Sequence, residues 1–287
     1  MMDKISDFKC VHSNADDISL VSDDNSIKFP QAYQKAEDMA ELALKIKTAG
    51  NSPLCILPFC HTIEAECFGA FINFGDALFG PRVKEYKVRN IKDLEMLLPI
   101  DFTMGRIAEV ISACKMLKQA GETVCLEISG PMTILNNLIE LKEVFKAWRK
   151  DKEYMLRILD FLNGQMLIYA DIAKNYADII CYADPIASID ILGPNMAKEW
   201  TEFSTVPFLK KLLDCINNYS VIQICPKITV MLIGFGFARY EDFYIPEPMK
   251  FSEACIKYKD IIKITGQNCV KNKDYIVGDK FKEIILN

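Results

Sequence analysis

The stretch "PLCILPFCHTIEAEC" (53–67) separates the two parallel α/β architectures open to this chain. Its first half is apolar without alternation, as in a strand buried on both faces of a parallel sheet. The turn that follows contains no glycine. A doubly wound nucleotide-binding sheet needs a glycine-rich turn after an early strand, where backbone must approach a phosphate. The only glycine cluster, "GFGFA" at 234–238, lacks both the third glycine and the acidic residue expected further on. A TIM barrel has no such requirement and places its chemistry where strands end.

Outward from that strand the pattern repeats. "FPQAYQKAEDMAELALKIKTAG" (29–50) is predicted to be a helix, with Pro30 in its first turn, Gly50 closing it and a stripe of Met39, Ala43 and Ile46. Further helices are expected at 106–121, after Gly130–Pro131, at about 152–176 and at about 195–216. Between them, "TVCLEIS" (123–129), "DIICYAD" (178–184), "SVIQIC" (220–225) and "IIKITG" (261–266) read as buried strands. Apolar strands alternating with helices predict an α/β fold with a mostly parallel sheet. Polar and thiol residues gather at the strand ends: Cys60–His61, Ser129–Gly130–Pro131, Asp184–Pro185, Gln223–Cys225 and Gly266–Cys269. That asymmetry favours a (β/α)8 TIM barrel over residues 29–287, preceded by a polar arm at 1–28. "EIIL" (283–286) is the only late candidate for an eighth strand, and the C-terminal end reads as shortened.

Composition narrows the function. The chain has 287 residues, 51% of them hydrophobic, and a formal net charge of -5. No basic stripe points to nucleic acid. No apolar run is long enough to span a bilayer, and the N-terminus lacks a signal sequence. Eleven cysteines, mostly inside apolar runs, read as small hydrophobes in a reducing compartment. A cytoplasmic protein is expected.

In order along the chain, "FPQAYQKAEDMAELA", "LPFCHTIEAECFGA", "FGDALFGP", "EISGPMTIL", "YADPIASIDILGP" and "IQICPKI" resemble the uroporphyrinogen decarboxylase superfamily. Within it the chain resembles the branch of methylcobamide:thiol methyltransferases, such as methylcobamide:coenzyme M methyltransferases. The resemblance implies a TIM barrel. It also implies one zinc, held by a His-x-Cys pair and a later cysteine, that binds the acceptor thiol as thiolate for attack on a methylcobamide carried by a separate corrinoid protein. A free thiol has a pKa near 8.5, so only about 3% is thiolate at pH 7. Metal coordination removes that proton.

The chain departs from the implied pattern. The His-x-Cys pair reads Gln223-Ile224-Cys225, and Cys269 in "GQNC" is the nearest later cysteine. Cys225, Cys269 and Gln223 are the metal candidates, with His61 or Glu64 as a further ligand. If a helix begins at about 60, Cys60, Glu64 and Cys67 share a face. Cys67 is then a core residue. His61 and Glu64 at a strand end are candidate catalytic groups, or simply residues bound to backbone. Asp184 is a candidate for orienting substrate, or a turn residue before proline. Glu127 lies inside a buried strand and must be paired or functional. Tyr182, Cys60, Glu127 and Arg82 are candidate substrate contacts, and His12 is given no role. The segment "YEDFYIPEP" (240–248) is an aromatic-acidic loop that reads as a lid, a partner surface or packing.

Three functions remain open. The first is corrinoid-dependent methyl transfer to a thiol or similar acceptor, the methylcobamide arriving on a partner because no Asp-x-His-x-x-Gly signature is present. The second is a metal-free, decarboxylase-like activity on a carboxylated substrate. The motif rich in arginine near the N-terminus of true decarboxylases is absent, which argues against uroporphyrinogen itself; the first arginines are Arg82, Arg89 and Arg106. The third is a non-catalytic barrel that binds a corrinoid protein or a small ligand.

Overall fold

Four parallel strands, three of them buried throughout, carry the core of the sheet. In a computed structural model, which describes residues 5–11, 13–216 and 219–287, β1 (Cys55–Leu57), β2 (Val124–Ser129), β3 (Ile179–Ala183) and β4 (Val221–Ile224) pair in parallel and in that order. Every residue of β2, β3 and β4 is buried, which is why their sequences show no polar alternation. His12 lies outside the described residues.

The sheet continues through β5 (Ala238–Tyr244), β6 (Ile264–Thr265) and β7 (Lys280–Leu286), giving seven strands in the order β1-β2-β3-β4-β6-β7-β5. β6 runs parallel to β4. β7 is antiparallel to both β6 and β5. The fold is therefore α/β with a mostly parallel sheet. "EIIL" is not an eighth parallel strand: it belongs to β7, which turns back along β5 over seven paired residues. The expected loop at 240–248 is largely β5 itself. In it Ala238 is buried, Tyr240 and Phe243 are partly covered, and the remaining residues are exposed.

The helices follow the predicted positions with two local differences. The 29–50 segment splits into a 3-10 turn at Gln31–Tyr33 and a helix at Ala36–Ala49. The helix after β1 spans Ile63–Cys67, not 60 onward. Cys60 therefore sits in the preceding loop, and the shared face expected for Cys60, Glu64 and Cys67 does not form. Cys67 packs against the main hydrophobic core, as expected. Among the described residues, no helix is long and apolar enough to cross a membrane.

The N-terminal segment packs across the carboxyl ends of the strands. A short helix at Asn14–Ser19 carries a capping box from Ser13 and Asp16. Three lysines of the C-terminal half anchor this segment: Lys227 to Asp7 at 3.0 Å, Lys271 to Asn14 at 2.8 Å and Lys273 to Asp17 at 2.7 Å.

Candidate active site

A cavity of about 600 Å³ opens where β1 to β4 and β6 end, walled by those ends, the N-terminal segment and the segment 77–83. Of the expected site residues, His61, Cys60, Arg82, Glu127, Gln223, Cys225 and Cys269 line it. Asp184, Glu64 and Tyr182 do not. They lie behind the wall, at 0%, 1% and 0% exposure.

Each of those three has a structural explanation. Asp184 accepts hydrogen bonds from the backbone of Met132 and Thr133 at 3.2 and 2.8 Å and from Thr133 Oγ1 at 2.7 Å. It thereby caps the helix Pro131–Leu138, whose own N-cap position, Gly130, has no side chain to do so. A Cβ on Gly130 would lie 2.4 Å from Asp184, so this close approach requires glycine. Burial raises the Asp184 carboxyl to about 6. Asp184 thus supports the cavity through Thr133, which lines it. Glu64 accepts from the Ser129 backbone N–H at 2.8 Å, and burial raises its carboxyl. Tyr182 packs on Phe208 with ring centroids 4.9 Å apart, and burial raises its phenol well above the ordinary value.

At the cavity floor stands a charged pair. Lys271 Nζ lies 2.8 Å from Glu127 Oε2, and both side chains are buried. His61 Nδ1 lies 3.3 Å from the other carboxylate oxygen of Glu127. Burial works to raise the Glu127 carboxyl, but Lys271 and His61 outweigh it and hold it below the ordinary range. Burial likewise opposes the charge on Lys271, yet Glu127 outweighs it and the ammonium is held charged. Lys271 was not among the sequence candidates. The one signal for it was Glu127: a carboxylate in a buried strand calls for a cation, though spacing cannot say which. Arg106 forms a second buried support. It donates to Glu66 Oε2 at 2.6 Å, to Thr62 Oγ1 at 2.8 Å and to Cys60 Sγ at 3.3 Å, so it braces two residues of the cavity wall.

The three metal candidates do not make a zinc site. Gln223 Oε1 accepts from Cys181 Sγ at 2.7 Å, and its Nε2 donates to the carbonyls of Ile224 and Asn268 at 2.7 and 3.1 Å. The amide is fully engaged, with its oxygen turned to a thiol. Cys225 and Cys269 share the cavity. Among the described residues, no three His, Cys, Asp or Glu side chains gather so that they could hold a metal ion. An ammonium in the same wall further opposes a second cation. The residues present do not fit the group that the resemblance implies.

A mostly parallel sheet with a cavity at its strand carboxyl ends defines an α/β protein with an enzyme-like site. This chain belongs to the uroporphyrinogen decarboxylase (URO-D) family, whose sequence profile matches residues 22–261. Among its relatives, the methylcobamide:CoM methyltransferase MtaA of Methanosarcina barkeri is 27% identical over 231 residues, covering 78% of this chain and 66% of the relative. The methylcobamide:CoM methyltransferase MtbA of Methanosarcina acetivorans is 30% identical over 208 residues, covering 70% and 60%. A solved methyltransferase structure from Methanosarcina mazei superposes with a TM-score of 0.64 at 27% identity, covering 76% of this chain and 64% of that one. The chain thus spans 60–66% of the length of these curated relatives.

Proposed function

We propose that this chain is a methyltransferase that moves a methyl group from a methylcobamide, delivered by a corrinoid protein, to a thiol acceptor held in the cavity at the strand ends. The observation that carries the proposal is the convergence of His61, Glu127, Gln223, Cys225 and Cys269, from β1, β2, β4 and β6, on one cavity. The named activity of the relatives supports it. Its setting is the TIM barrel that the family resemblance implies, in the cytoplasm, where eleven free cysteines are at home.

In this proposal the acceptor sulfur forms a bond to the methyl carbon as the cobalt–carbon bond breaks, the electron pair staying with cobalt and the thiol proton leaving to water. The chain's own residues do the rest. Glu127 and Lys271 keep the floor charged and ordered, and Arg106 fixes Cys60 and Thr62. The N-terminal segment limits access of water. The raised thiols of Cys225 and Cys269 stay protonated, so they are poor methyl acceptors themselves. Zinc activation of the acceptor, the finer form of this proposal, finds no three-ligand set among the described residues, and no step is assigned to a metal.

The test is incubation of the full chain with methylcobalamin and 2-mercaptoethanesulfonate, following the methyl–cobalt spectrum and the methyl thioether product. Thioether formation that depends on the protein is expected. No product, with free methylcobalamin or with a methylated corrinoid protein, overturns the proposal. A decarboxylase-like activity is favoured by one observation, that Arg82 and Lys271 both line the cavity. Release of carbon dioxide from a polycarboxylate substrate would select it.

A further inference from the structure

The charged side chains that line the cavity carry a small positive balance although the chain is acidic. Among the described residues that line it, the fixed cations are Arg82 and Lys271, and the sole carboxylate is Glu127. The chain as a whole carries -5. His61, beside Glu127, can only add positive charge. The helix Pro226–Gly234 starts immediately after Cys225 and turns its positive end toward the same space. Such a surface attracts an anion.

Lys271 is placed to receive it. An ammonium has three N–H donors. Glu127 takes one at 2.8 Å and Asn14 another at 2.8 Å, which leaves a third donor on a residue that lines the cavity. A zinc would have supplied positive charge to the acceptor sulfur, and the residues here do not assemble one.

We propose that Lys271 holds the acceptor thiol as its thiolate, in place of a metal ion, with Glu127 and Asn14 fixing the ammonium. The inference rests on the methyl-transfer proposal for the identity of the ligand as a thiol. On binding, the S–H proton passes to the buffer and the sulfur accepts the remaining N–H of Lys271. Lys271 is then a binding residue for the nucleophile, and Glu127 a positioning residue that acts through it.

The experiment is titration calorimetry of the full chain with 2-mercaptoethanesulfonate at pH 7, with chelator present, in two buffers of different ionisation enthalpy. A free thiol is only about 3% ionised at this pH, so binding as thiolate releases close to ~1 proton per thiol. That release is expected without metal. It should vanish in Lys271→Met and return in Lys271→Arg, whose guanidinium keeps the charge and its donors. Should Lys271→Met fail to fold, Lys271→Met with Glu127→Gln leaves no unpaired charge and is expected to show the same loss. Absence of binding, binding without proton release, release only after zinc is added, or release unchanged in both Lys271→Met variants would each overturn the inference. The assay contains no corrinoid, so its failure is distinct from failure to form thioether.

Discussion

Asp184 shows what burial does to a carboxylate used as a cap. With its carboxyl raised from 3.8 to about 6 by burial, the folded chain binds a proton that the unfolded chain has already released. The stability from this group is present below the unfolded value and is lost as pH rises through about 6. The shift corresponds to ~3 kcal/mol at most. Comparing native and Asp184→Asn chains by denaturant unfolding cancels the other titrations. The stability advantage of the native chain should shrink as pH rises from ~4 to ~7. A gap that does not vary with pH would mean the carboxyl titrates normally. At this scale the sequence exposed Glu127 as a residue in need of a partner. The partner, Lys271, lies 144 positions away (271 − 127), a separation that only the assembled sheet can bridge.

At the scale of elements, Gly130 couples a strand end to a helix. The chain leaves β2, meets Asp184 from the end of β3 at a distance that a methyl group would close, and enters the helix that carries Thr133 and Asn137. Gly130→Ala should destabilise the fold by ~1–3 kcal/mol through overpacking, and should weaken ligand binding because Asn137 also holds the His61 carbonyl at 2.6 Å. Thermal melting and the calorimetric titration would both register it; an unchanged melt would show that Asp184 yields freely. Helix and strand positions were largely legible from apolar runs and punctuating glycines. The late start of the helix at Ile63 has one local mark, Thr62, a residue type favoured at the N-cap it occupies, although its side chain makes no capping hydrogen bond. The strand at Ala238–Tyr244 was missed because its aromatic and acidic residues imitate a loop.

For the whole molecule, the question is what stabilises the mouth of the sheet. Here lysine side chains do so: Lys227, Lys271 and Lys273 tie the N-terminal segment across it. A bound structural metal would add its binding free energy to folding. With no three-donor set among the described residues, chelator should leave the melting temperature unchanged. Protein purified without chelator should carry well below one zinc per chain by elemental analysis. Stoichiometric zinc, lost together with stability on chelation, would overturn this.

Periodicity and composition alone determined that strands and helices alternate, that the strands are buried on both faces, and that reactive side chains collect at one end of them. Those properties follow from local spacing and from transfer of apolar side chains out of water, which each segment carries within itself. Only the tertiary structure decided that β7 returns antiparallel, that Asp184, Glu64 and Tyr182 face away from the cavity, and that Lys271 meets Glu127 inside it. Register, side-chain direction and ion pairing depend on contacts between segments far apart in the chain, and a linear order of residues does not encode the distances between them.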